Sequence, residues 1–121
     1  MSKIENCMAD LVTAIQESSE YQEFCQVRDE VAKDPEKRTS INQYRRRIFE
    51  IQNTREPLDM YAEMERLEKE YEEFRRDPQI DDFLRSELRI CRILQKITKE
   101  IAGCVDLDTD EVTRGLDMRS L

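Results

Sequence analysis

The stretch QIDDFLRSELRICRILQKITKEIA, residues 79–102, decides the fold. With Ile80 at zero and 100° per residue, Leu84, Leu88, Cys91 and Leu94 fall between about 320° and 80°. Phe83, Ile90, Ile93, Ile97 and Ile101 fall between about 220° and 300° on the same wheel. The combined apolar arc of about 220° is roughly twice the stripe of an ordinary surface helix. Such a helix needs cover on two sides. One side suits the chain's own helical hairpin; the other, carrying Phe83, Ile90, Ile93 and Ile97, is the expected interface with a second copy or a partner. Leaving it in water would forfeit about 1.5–3 kcal/mol for each side chain that could be fully buried. At least a homodimer is expected. The competing account is that residues 3–33 fold back and cover that side within one chain.

Upstream, Asp77-Pro78 reads as an N-cap followed by a proline in the first turn, and Asp34-Pro35 repeats the signature. Between the two, Ile41, Tyr44, Ile48 and Ile51 trace one narrow seam at 3-4-3 spacing. Met60, Met64, Leu67, Tyr71 and Phe74 trace a second at 4-3-4-3. A short turn at 53–57 between them predicts an antiparallel hairpin of helices over 35–54 and 58–76. Nearer the N-terminus, Ile4, Met8, Leu11, Val12 and Ile15 mark an amphipathic helix over 3–17. The stripe stops at Ser18-Ser19 and restarts with Tyr21, Phe24, Arg28 and Val31. Ser19 with Gln22 reads as a capping box for a helix over 19–33, and a single bent helix is the alternative. Gly103 fits a helix C-cap. The whole is an all-α chain: an elongated helical bundle with a long antiparallel hairpin and a closing C-terminal helix. Residues 1–103 are expected to form a single helical domain, with an acidic, mobile tail over 104–121.

Composition narrows the chemistry. The 121 residues carry 20 Lys plus Arg against 28 Asp plus Glu, a net charge of −8, which disfavours nucleic acid as the main ligand. With 38% hydrophobic and 40% charged residues, the core is thin and burial is completed against a partner. There is no His, which removes Ser-His-Asp and Cys-His catalysis, His-ligated zinc and Glu-x-x-His di-iron sites. Both glycines, Gly103 and Gly115, lie beyond residue 102, so no phosphate-cradling loop or dinucleotide fingerprint precedes them. No apolar run approaches the roughly 20 residues of a membrane span, and the N-terminus shows no signal-peptide pattern. A cytoplasmic, non-enzymatic protein is expected.

The remaining clusters have ordinary readings. Cys7, Cys25, Cys91 and Cys104 contain no Cys-x-x-Cys pair, and thiols in such a protein are usually small buried groups, as expected for Cys91 in its apolar arc. Cys104, just past a helix end, could instead join ligands from another chain. Arg45-Arg46-Arg47 point in three directions around a helix, so they form no single clamp. Charge complementarity across the hairpin accounts for them. The glutamates Glu63, Glu65, Glu68, Glu70, Glu72 and Glu73 interleave with bases as a solvated surface.

The ordered landmarks resemble the YlbF/YmcA family of small helical bacterial regulators. They are Ala14-Ile15…Ser18-x-x-Tyr21, Val31-x-x-Asp34-Pro35-Glu36, Ile41-x-x-Tyr44…Ile51-Gln52 and Asp77-Pro78-Gln79-Ile80-x-x-Phe83-Leu84-x-x-Glu87-Leu88…Ile97-x-x-x-Ile101. The resemblance covers about residues 8–103. It implies an all-helical oligomer without catalytic activity, acting in a cytoplasmic complex with paralogous YlbF/YmcA-like and YaaT-like proteins. It also implies links to competence, biofilm formation, sporulation and RNA processing by RNase Y. Complexes of this type can carry iron–sulfur clusters. No cofactor is expected in the single chain, with Cys104 the one candidate ligand in a partner complex. Two other functions compete: a homo-oligomeric structural or chaperone-like protein, and an iron–sulfur or redox protein using Cys104 with partner thiols.

Overall fold

The computed structural model describes residues 2–54 and 59–108. Among these the chain is all-α, without strands: α1 (Lys3–Glu17), α2 (Ser19–Ala32), α3 (Pro35–Gln52), α4 (Met60–Glu70), a 3-10 turn (Phe74–Arg76) and α5 (Pro78–Gly103). Contacts divide the chain into one unit ending at Ile90 and a second starting at Cys91. Part of the turn expected at 53–57, and the tail beyond 108 with Gly115, lie outside the described residues.

Caps set the boundaries. Asp34 accepts hydrogen bonds from the backbone N–H of Glu36 (3.1 Å) and Lys37 (3.3 Å), satisfying two of the orphan donors at the start of α3. Asp77 accepts from Gln79 N–H at 2.9 Å at the start of α5. Residues 3–33 form two helices, and the cap between them is Ser18, not Ser19: Ser18 Oγ accepts from Tyr21 N–H and donates to Ile15 O. Gln22 reaches back to Gln16 O rather than closing a capping box. The helix expected over 58–76 is shorter. Asp59 caps its start, and α4 ends at Glu70. Glu70, Glu72 and Glu73 crowd a helix C-terminus, where the macrodipole disfavours negative charge, and Pro78 ends any continuation. Gly103 is the last helical residue rather than a left-handed cap; Asp108 holds the positive φ, at 52°.

Contacts give the helix directions. Tyr44 meets Tyr71 at 5.1 Å between ring centroids, and Arg47 meets Glu70 at 3.0 Å. Numbers rise along α3 as they fall across the partner segment, so α3 and α4 are antiparallel. Lys37 pairs with Asp77 (3.0 Å) and Arg45 with Glu87 (3.0 Å), a near-constant offset that makes α3 and α5 parallel through this unit. Phe24 lies 5.5 Å from Phe83 and Glu23 pairs with Arg89, while Val31 packs with Ile80, so α2 runs against α5.

Two small clusters form the core. Val31, Ile41, Ile80 and Phe83 make one, and Tyr44, Ile51 and Leu67 the other; Phe74 and Leu84 touch both. Tyr44, Tyr71 and Phe74 pack mutually at 5.1–5.4 Å, in the range where aromatic pairs gain beyond their buried area. The thin core expected from composition is what the helices build.

Candidate interaction surfaces

The structure separates the four residues expected at an interface. Phe83 is 4% exposed and lies within the chain's own core, against Phe24. Its burial is completed within the chain, so it does not share the open side of α5 with Ile93 and Ile97. The reason is the competing account: α2 folds back and supplies Phe24, Val27 and Val31 to that side of α5. Ile90 is half-buried at the end of the same unit. In the second unit Ile93 and Ile97 are half-buried, Leu94 and Ile101 are exposed, and no described side chain from Cys91 onward is buried.

A second apolar surface lies on α1, whose stripe in the sequence marks a helix but not how exposed that face is. On α1, Ile4 is 79%, Met8 59% and Val12 48% exposed, and none of the helix's residues is buried. Residues at i, i+4 and i+8 share one helix face, so α1 presents an apolar strip to its surroundings.

The third surface is a groove of about 400 Å³ between α2 and α3, floored by Phe24, Val31, Ile41 and Phe83. Arg28, Arg38 and Arg45 line it. The three consecutive arginines of α3 diverge, as their helical positions require. Arg46 pairs with Glu50 on its own helix, Arg47 crosses to Glu70, and Arg45 alone turns to the groove. Two signals could have found this site. Arg38, Ile41, Asn42 and Arg45 share one face of α3, and Arg28 interrupts the apolar stripe of α2.

Arg45 is held on two sides. Its guanidinium lies 5.7 Å from the Phe83 ring centroid, within cation–π range, and its Nε is 3.0 Å from Glu87 Oε2. The N–H is not aimed for a hydrogen bond, and among the described residues Oε2 has no hydrogen-bond partner. Burial therefore pushes the Glu87 carboxyl above the ordinary glutamate range, with Arg45 only partly opposing it. Asp77 moves the opposite way, lowered chiefly by its hydrogen bond from Lys37. The folded chain thus holds the Glu87 proton to higher pH than the unfolded chain does. Glu87's contribution is full below about pH 4.5 and is lost as pH rises through its folded-state value. Asp77's contribution is present at neutral pH and is lost as pH falls below about 3.8. Glu87→Gln is expected to raise the midpoint of thermal unfolding slightly at pH 7 and to flatten its decline above pH 4.5. Calorimetric scans from pH 4 to 8 measure this; an unchanged slope would contradict the burial assignment.

The family model described as "Control of competence regulator ComK, YlbF/YmcA" matches residues 4–106. The chain belongs to the YlbF/YmcA family. A UPF0342 protein of Caldicellulosiruptor bescii is 24% identical over 112 residues, covering 88% of this chain and 91% of its own. Another, from Caldicellulosiruptor saccharolyticus, is 26% identical over 113 residues with the same coverage. No solved structure matches.

In this YlbF/YmcA-family chain, Cys7, Cys91 and Cys104 are exposed and Cys25 is half-buried; all four are free thiols. Cys91 departs from its expected burial because nothing described around it is buried. Cys104 follows α5, with its N–H donated to Ile101 O. Among the described residues no three His, Cys, Asp or Glu side chains are grouped so as to hold a metal ion. No described helix is long and apolar enough to cross a membrane.

Proposed function

We propose that this member of the family is a non-catalytic regulatory subunit that works in the bacterial cytoplasm by binding other proteins. Its partners are a second copy of itself, paralogous YlbF/YmcA-like proteins and a YaaT-like protein, in a complex tied to RNA processing by RNase Y. Membership of a regulator family over residues 4–106 is the observation that carries this reading. Surface physics supports it: α1 displays Ile4, Met8 and Val12, and monomers rarely leave contiguous apolar patches uncovered. An iron–sulfur cluster, where one forms, would need thiols from partner chains beside Cys104.

Capture with the tagged full chain from a bacterial lysate, read by mass spectrometry, tests the assignment. Reproducible recovery of YaaT-like or RNase Y-like proteins is the expected result. Recovery of the chain alone would replace this reading with the homo-oligomeric structural one.

A further inference from the structure

We propose that the groove between α2 and α3 is a docking site for an acidic segment of a partner protein. Carboxylates of that segment would meet Arg28 and Arg38, and one apolar side chain would rest on the Phe24–Phe83 floor. This rests on the regulatory-subunit reading and adds to it the chemistry of the partner.

Charge singles out the occupant. The chain carries a net −8 and repels an acidic partner over most of its surface. The groove reverses that sign: three arginines line it against one carboxylate, Asp29. Arg28 is engaged by that adjacent residue, at 3.2 Å, and by Tyr21, and its side chain stays half exposed. Arg38 has no side-chain ion pair among the described residues. Two guanidinium groups are therefore available for charge-assisted, bidentate pairing with carboxylates.

Placement favours a peptide over a single phosphate. Arg28 stands on α2 and Arg38 on α3, so an occupant that meets both must bridge the two walls of the groove. Arg45 is also tied to Glu87 and Phe83, so it does not swing freely to close on a small anion. The cavity of about 400 Å³ is at the small end of ligand pockets, enough for a side-chain anchor and not for a helix.

The test is fluorescence anisotropy with the full chain and labelled dodecapeptides rich in Asp and Glu, each with a single Phe at a stepped position. Saturable binding by a subset of these is expected, weakening as salt rises. The double variant Arg28→Ala/Arg38→Ala should raise Kd about tenfold or more, as loss of two charge-assisted pairs implies. Arg46→Ala, whose side chain pairs with Glu50 on the outer face, should leave Kd unchanged. Circular dichroism confirms that each variant is folded. The proposal is overturned if no peptide binds saturably, if both variants bind as the wild type does, or if single-stranded RNA or inorganic phosphate competes more strongly than unlabelled peptide. The peptide assay judges the groove, and the lysate capture judges the regulatory reading. Partners still captured by the double variant while peptide binding is lost would place partner docking elsewhere and reject the groove as the partner site. Peptide binding without lysate partners would reject only the regulatory reading.

Discussion

Aspartate at both Ile93 and Ile97 is expected to turn an associated protein into a folded, dissociated one. The two positions are four residues apart on α5 and face the same way. Neither is buried by the described residues, nor are Leu94 and Ile101 beside them. Isoleucine is rarely left this way over a whole helical segment unless something else covers it. In a symmetric dimer each substitution acts twice, so four side chains at about 1.5–3 kcal/mol apiece represent roughly 6–12 kcal/mol when fully buried. Even a quarter to a half of that, about 1.5–6 kcal/mol, raises Kd about tenfold or more. Burying a carboxylate in an apolar contact adds a further penalty. Sedimentation velocity at micromolar concentration gives the oligomeric state, and circular dichroism the helicity. A wild type already monomeric throughout that range, or variants that sediment as the wild type does, would remove this segment as the interface. Phe83 is excluded from such a test, because its substitution would damage the core it belongs to.

Leu67→Ala is expected to cost about 2–5 kcal/mol of stability, the range for truncating a fully buried leucine. Leu67 is 0% exposed and sits with Tyr44 and Ile51, enclosed further by Ile48, Met64, Tyr71, Phe74 and Leu84. Three of those neighbours are mutually packed aromatic rings, which do not collapse readily into a cavity. For a domain of this size the loss lowers the unfolding midpoint by roughly 10–30 °C. Because total stabilities are only about 5–15 kcal/mol, a large fraction goes with one side chain. Ile4→Ala is the matched control: at 79% exposure it should change stability by less than about 0.5 kcal/mol in the dissociated chain. Urea titrations of both variants decide the matter, and equal midpoints would show that the second core cluster is not a real determinant of the fold.

How far each feature could be read in advance follows the range of the interaction behind it. Asp34 and Asp77 mark their helix starts because a cap is a contact between residues two or three apart. The seam Ile41, Tyr44 and Ile51 was legible because helical periodicity repeats locally, and all three are buried. Even local rules competed at Ser18, where two adjacent serines could each cap and only the structure chose. Beyond residue 70 the heptad spacing persisted through Tyr71 and Phe74, but the acidic helix end broke the helix before the spacing did.

Local residue order was enough for the all-α class, the main helices, the lack of histidine chemistry and the double-faced apolar character of α5. Tertiary structure alone decided which neighbour covers which face. It put Phe83 under Phe24 of α2, left Ile93 and Ile97 only half-buried by the described residues, and gathered Arg28, Arg38 and Arg45 around one groove from two helices. Periodicity specifies an angle around one helix axis and contains no term for the helix that packs against it. Such pairings depend on contacts between residues tens of positions apart, such as Phe24 with Phe83 and Arg45 with Glu87, whose geometry exists only once the chain has folded.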